Sequence, residues 1–106
     1  MPYTLYGIIC HMSAELVIAD KVLFDDGAIQ EMVVWRVPLP VPSSSHPFKY
    51  RLYYGFAGQR LVGYDNERGK GDHRHIEGRE EPYRFESWTI LIDDFLADVA
   101  RIRSKR

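Results

Sequence analysis

The chain divides at the stretch Tyr64-Asp65-Asn66-Glu67-Arg68-Gly69-Lys70-Gly71-Asp72-His73-Arg74-His75-Ile76. The residues before it are patterned as antiparallel strands, and the residues after it lead into one helix. The stretch itself has the wrong composition for a core, because glycine, histidine and charged side chains dominate it. Polar residues this dense between a strand and a helix are typical of a loop that carries function.

The helix follows Ser87, whose hydroxyl is a good N-cap. Apolar residues recur after it with the i, i+3, i+4, i+7 spacing of an amphipathic helix. They are Trp88, Leu91, Ile92, Phe95, Leu96, Val99 and Ile102. The opposite face takes Asp93, Asp94, Asp98, Arg101 and Arg103. We expect the apolar stripe to cover one face of the sheet, against the aromatic residues of the third strand.

The strands are predicted from turn signals and alternation. Asp25-Asp26-Gly27 separates two apolar segments, residues 14–24 and 28–37, and indicates a hairpin. Residues 48–56 alternate, which places an aromatic and apolar row on one face and Lys49, Arg51 and Tyr53 on the other. A turn at 57–59 leads to a fourth strand at 60–64. Residues 73–76 fit a short fifth strand, and residues 77–82 are predicted to be a loop.

Residues 38–47 contain four prolines and three serines, so they can form neither a helix nor an inner strand. They are predicted to be a stiff connector, either a sheet crossover or an exposed arm that binds a partner.

These elements predict an α+β fold, with an antiparallel meander sheet of four to five strands and one C-terminal helix packed on one face. The length of 106 residues fits one domain, which we place at residues 14–106. Residues 1–13 are interpreted as an N-terminal extension that is disordered or loosely attached.

Composition excludes several classes of protein. A net charge of −1 argues against strong non-specific binding of nucleic acid, although it leaves room for a small RNA-cleaving site. The single cysteine, Cys10, rules out an internal disulfide. The N-terminal apolar run is too short for a signal peptide or a membrane span, so we expect a cytoplasmic protein with no membrane partner.

His73 and His75 are the first candidates for chemistry. Residues i and i+2 of an extended segment point to the same side, so two imidazoles there could share acid–base work. They could also bind a metal ion with Asp65, Glu77 or His46, but His-x-His supplies only two ligands, and no metal is assigned. The plain alternative is a pair of histidines on an exposed edge strand. Asp65 either starts a turn or orients a histidine.

Gly69-Lys70-Gly71 is the second candidate. Flanking glycines let the backbone bend closely around a phosphate, which Lys70 would hold with Arg68 and Arg74. The pattern is not a Walker loop, and it is also common in plain turns. Tyr83 could stack on a nucleobase or pack on the core, whereas we expect Phe85 to pack.

Together these residues predict a metal-independent RNA-cleaving site without a cofactor. The catalytic candidates are His73, His75, Tyr83 and Asp65, and the substrate-binding candidates are Lys70, Arg68 and Arg74. The alternative is a non-catalytic module that binds a nucleotide or a protein through the Gly-Lys-Gly loop.

Several motifs, taken in order, resemble the TumE-type toxin family of prokaryotic toxin–antitoxin systems over Ala14 to Arg103. They are Asp26-Gly27-Ala28-Ile29, Lys49-Tyr50-Arg51-Leu52, the stretch from Tyr64 to His75, Glu81-Pro82-Tyr83-Arg84-Phe85 and Asp94-Phe95. The resemblance implies a small cytoplasmic toxin held inactive by a cognate antitoxin, often a helix–turn–helix regulator. Small type II toxins tend to cut RNA or block translation, so we expect an endoribonuclease or a translation inhibitor, with RNA as a possible substrate. A homodimer through an edge strand is also open.

Overall fold

The computed structural model of the protein describes residues 14–67 and 69–105. The extension predicted at residues 1–13 and the phosphate ligand predicted at Arg68 lie outside the described residues. These described residues form six strands and one helix, in chain order β1 (Glu15–Leu23), β2 (Ile29–Arg36), β3 (Phe48–Phe56), β4 (Gln59–Asp65), β5 (His73–Ile76), β6 (Arg79–Pro82) and α1 (Trp88–Ser104).

The six strands form one antiparallel sheet whose spatial order is the chain order, β1 to β6. The predicted α+β meander is therefore confirmed, with one strand more than expected. The loop predicted at residues 77–82 is wrong for residues 79–82. Glu77 and Gly78 have φ values of 48° and 85°, the left-handed pair of a tight hairpin turn, so residues 79–82 fold back beside β5.

The helix covers one face of the sheet, and the core lies between them. The buried row of β3 and its neighbours on β4 meet the apolar stripe of α1, and the largest buried side chains include Tyr54, Tyr64 and Phe95. Ser87 caps the helix as predicted, since its hydroxyl accepts a hydrogen bond from the Ile90 amide at 3.1 Å.

The polar face predicted for α1 is wrong at Asp98, which is only 4 % exposed. Its carboxylate accepts a short hydrogen bond from the Tyr64 hydroxyl, and Arg74 Nη1 lies 3.4 Å from the same carboxylate oxygen. The helix therefore docks through a buried polar contact as well as through its apolar stripe.

The connector from β2 to β3 folds against the polar loop. Asp72 accepts hydrogen bonds from Ser44 Oγ at 2.8 Å, His46 Nε2 at 2.7 Å and the Tyr50 hydroxyl at 2.7 Å. Asn66 is buried beside them, where its side chain accepts from the Tyr50 amide and donates to the Phe48 carbonyl. Asp72 and Asn66 therefore hold the loop and the connector in place.

Candidate functional site

Strand register divides the predicted site residues between the two faces of the sheet. Tyr64 on the helix side pairs with Arg74, whereas Asp65 pairs with His73 and Gly63 with His75. Because side chains alternate along a strand, both histidines and Asp65 lie on the face that α1 leaves open. Glu80 of β6 pairs with His75 and joins them. We call Asp65, His73, His75 and Glu80 the open-face cluster.

His73 is the buried centre of this cluster, and its side chain is 8 % exposed. Its Nδ1 donates a hydrogen bond to the Gly71 carbonyl at 3.1 Å. Its Nε2 lies 2.8 Å from Asp65 Oδ1 and 3.1 Å from Glu80 Oε2. Asp65 Oδ1 is buried and, among the described residues, has no hydrogen-bond partner despite this short contact.

His75 lies beside His73, with the two ring centroids 5.3 Å apart. Its Nε2 is 3.4 Å from the same Glu80 oxygen that His73 approaches, so Glu80 bridges the two imidazoles. Burial, followed by the positive charge of Arg60, lowers the pKa of His75 below its ordinary value. A neutral imidazole that solvent reaches can accept a proton or bind a cation.

Arg74 lies on the opposite face, away from the histidines. Its guanidinium donates to Glu81 Oε1 at 3.0 Å and to the Tyr64 hydroxyl at 3.1 Å. The hydrogen bond with Tyr64 is the main cause that raises the pKa of Arg74 above its ordinary value. Arg74 was predicted to act together with His73 and His75, but the structure places its side chain on the other face. Adjacent residues of a strand point to opposite sides.

Tyr83 is also on the helix side. Its hydroxyl donates to Asp94 Oδ2 at 2.6 Å, and its ring packs edge-on against Tyr64. Burial and the bond to Asp94 raise its pKa above the ordinary value for tyrosine. Phe85 packs as expected and stacks on His46 with ring centroids 3.6 Å apart. Neither aromatic residue contributes to the open-face cluster.

Lys70 lies at the edge of the cluster. Its side chain is 62 % exposed, and its ammonium is 3.6 Å from Glu67. With His73 and Glu80 it lines a shallow depression of about 340 Å³. The structure therefore places Lys70 beside His73 and Glu80, with its ammonium paired to Glu67.

Two of the three other candidate metal ligands lie away from His73 and His75. His46 bonds to Asp72 on the helix side, and Glu77 lies in the β5–β6 turn, 3.6 Å from Lys105. Asp65 is the one of the three alternatives that joins the histidines. Ligand atoms of Asp65, His73 and His75 all lie within 4.8 Å of one another.

The open face continues from the cluster across β4, β3 and β2. Arg51 stands opposite Asp65 and opposite Val33. Trp35 and Arg51, with Lys49 and Asp65, line a depression of about 570 Å³ on this face. A partly buried tryptophan beside cations is a surface on which a base can stack while its phosphate is held.

Glu80, Arg60 and Arg51 are members or neighbours of the site that were not predicted from the sequence. Glu80 fell in the predicted loop, and the signal that could have found it is Glu77-Gly78, a two-residue hairpin turn. Arg51 and Lys49 were placed correctly on the face away from the core, but nothing in the sequence paired that face with the histidines.

A family model described as Toxin TumE matches residues 11–103, nearly the whole chain. No curated protein and no solved structure is significantly similar to the chain. Across residues 14–67 and 69–105, no helix is both long enough and apolar enough to cross a membrane.

Proposed function

Since the chain belongs to the TumE toxin family, the toxin side of a toxin–antitoxin system, we propose that it is an endoribonuclease that needs no metal ion. Its partners are RNA and a cognate antitoxin, for which we propose a helix–turn–helix regulator. The place of action is the cytoplasm, where both are found. The observation that carries the proposal is the open-face cluster, in which two imidazoles and two carboxylates meet. The depression beside it is lined by Trp35, Lys49 and Arg51 together with Glu31, Asp65 and Glu67.

RNA carries its own nucleophile, the 2′-hydroxyl, so cleavage needs one group to take that proton and another to protonate the leaving 5′-oxygen. His75 is the proton acceptor in this proposal, because it is the more exposed of the two imidazoles. The 2′-oxygen forms a bond to phosphorus, and the bond from phosphorus to the 5′-oxygen breaks. The products are a 2′,3′-cyclic phosphate and a 5′-hydroxyl.

His73 is the proton donor in this proposal, since its Nε2 faces two carboxylates, Asp65 Oδ1 at 2.8 Å and Glu80 Oε2 at 3.1 Å. Glu80 touches both rings and can pass a proton between them. Asp65 holds His73 in place and is a positioning residue. Tyr83 is set aside as the donor, because its hydroxyl is bonded to Asp94 on the other face.

Substrate binding falls to cations on the open face. Arg51 and Lys70 line two depressions that border the cluster, so one can hold the scissile phosphate and the other a neighbouring phosphate. Trp35 can stack on a base. Of the carboxylates on this face, Glu67 pairs with Lys70 at 3.6 Å. Glu81 and Asp72 are directed to the other face, where Glu81 pairs with Arg74 and Asp72 accepts three hydrogen bonds.

The alternative is a non-catalytic module that binds a nucleotide or a protein through the Gly-Lys-Gly loop. The exposure of Lys70 favours it. This alternative makes Lys70 indispensable and the histidines dispensable.

Induced expression separates the two. Wild type, His75→Ala and Lys70→Ala are expressed without antitoxin, growth is followed, and each purified protein is incubated with RNA in EDTA. The RNase proposal expects growth arrest and fragments with cyclic phosphate ends from wild type, and a loss of at least about 100-fold in cleavage from His75→Ala. The RNase proposal would be overturned if His75→Ala still arrested growth while RNA stayed intact, and if Lys70→Ala no longer arrested growth. Thermal melting of each variant controls for misfolding.

A further inference from the structure

We propose that the open-face cluster is a binding site for a first-row divalent cation such as Zn²⁺, and that an ion bound there inhibits the toxin. The four ligands are the Nε2 atoms of His73 and His75 and carboxylate oxygens of Asp65 and Glu80. Imidazole and carboxylate together suit Zn²⁺ and its neighbours in the first transition row, whereas Mg²⁺ and Ca²⁺ prefer oxygen ligands alone.

The distances fit a shared ion. Zinc bonds of about 2.0–2.1 Å in a tetrahedron place the ligand atoms roughly 3.4 Å from one another. His73 Nε2 lies 2.8 Å from Asp65 Oδ1 and 3.1 Å from Glu80 Oε2, and His75 Nε2 lies 3.4 Å from the latter oxygen. Ligand atoms of Asp65, His73 and His75 all lie within 4.8 Å of one another. Side-chain shifts that bring Asp65 and Glu80 towards a common point between the two imidazoles would complete the tetrahedron.

Two further observations point to a ligand at this position. Within residues 14–67 and 69–105, Asp65 Oδ1 is buried without a hydrogen-bond partner, and a cation would supply one. The other ring nitrogen of His73 donates to the Gly71 carbonyl, which is the outer contact that fixes a metal-binding histidine with Nε2 towards the ion.

The ligand count determines the effect on the reaction. Four protein ligands close a tetrahedral shell, whereas catalytic zinc sites keep a position open for water or substrate. The ion would occupy both Nε2 atoms, and neither could then carry a proton. The inhibition rests on the proposed ribonuclease function, but the binding of the ion does not.

The test begins with the untagged full-length chain, freed of metal by a chelator and titrated with Co²⁺ in the absence of RNA. Visible bands of four-coordinate Co²⁺ should appear, saturate at one ion per chain and disappear on addition of Zn²⁺. Glu80→Gln should weaken binding by at least about 100-fold, beyond the 10–100-fold typical of residues outside the coordination shell. Its matched control is Glu81→Gln, one residue along β6 on the other face, which should bind as wild type does.

A second control tests whether Cys10 or His11 contributes to the binding of Co²⁺. A chain with Cys10→Ser and His11→Gln should keep its affinity for Co²⁺. The site is overturned if no saturable binding appears at millimolar Co²⁺, or if Glu80→Gln and Glu81→Gln bind equally.

Cleavage assays then decide the effect of the ion. One equivalent of Zn²⁺ should suppress cleavage by wild type, and EDTA should restore it. Acceleration of cleavage by Zn²⁺ would overturn the inhibitory role. If the chain cuts no RNA under any condition, the proposed function fails, while the cobalt titration still decides whether the cation site exists.

Discussion

Removing the Asp98 carboxylate should destabilise the fold by about 2–3 kcal/mol. A hydrogen bond to a charged group contributes roughly 1.5–3 kcal/mol, and Asp98→Ala deletes the one that Tyr64 donates. Arg74 also loses a partner, but it keeps Glu81 at 3.0 Å, so the full penalty of about 3–5 kcal/mol for a broken buried pair does not apply. The half-exposed pair with Arg101 adds little, and alanine returns about 0.5 kcal/mol of helix propensity.

Urea denaturation of wild type and Asp98→Ala measures this loss as a lower midpoint with an unchanged slope. The melting temperature should fall by roughly 10 °C or more for a domain of this size. Asp93→Ala is the matched control on the exposed side of the helix, and it should change stability by less than about 0.5 kcal/mol. In a double-mutant cycle with Tyr64→Phe, the coupling energy should exceed about 1 kcal/mol. Equal effects of the two aspartate substitutions, or an additive cycle, would refute the buried contact.

Three further substitutions test the assignments made above. Tyr83→Phe should keep full growth arrest and lower the free energy of unfolding by about 1 kcal/mol, because its hydroxyl binds only the helix; loss of arrest with an unchanged melting temperature would return it to the site. Gly71→Ala should cost about 1 kcal/mol more than Gly69→Ala in urea denaturation. Both glycines have positive φ, but an added Cβ meets a backbone oxygen at 3.1 Å only at Gly71, so equal costs would contradict that contact. Asn66→Ala should cost roughly 3 kcal/mol in the same assay, since it leaves a buried amide and a buried carbonyl unpaired, and a cost under about 1 kcal/mol would argue against its anchoring role.

The elements with a strong period could be predicted from the sequence. The apolar spacing after Ser87 and the alternation from Phe48 to Phe56 are local properties, and each appears in the structure where it was expected. The turn at Gly27 could also be predicted from the sequence. Its φ of 94° is one that glycine adopts readily, so glycine at this position is a turn signal. The sixth strand was missed since residues 79–82 are three charged residues and a proline, with no apolar pattern. Their strand character comes from pairing with β5.

The site was harder to predict because it depends on contacts between distant residues. His73, His75 and Asp65 could be grouped from the sequence, since alternation and a carboxylate beside an imidazole are simple expectations. Arg74 and Tyr83 were grouped with them for their chemistry alone, whereas the register sends both side chains to the helix. Asp98 looks like a surface residue in the helix pattern, and only the approach of Tyr64 shows why a carboxylate is buried there.

The alternation along β5 has a consequence for insertions and deletions. His73 and His75 face the RNA side in our proposal, and Arg74 and Ile76 face the core, so a slip of one residue against β4 would exchange the two sets. Deleting one residue within β5 would therefore abolish the proposed RNA cleavage and also bury the two imidazoles. One glycine inserted between Gly69 and Lys70, before the strand begins, leaves the pairing of β5 intact. Tolerance of length changes should thus switch sharply between the loop and the strand, although only a few residues separate them.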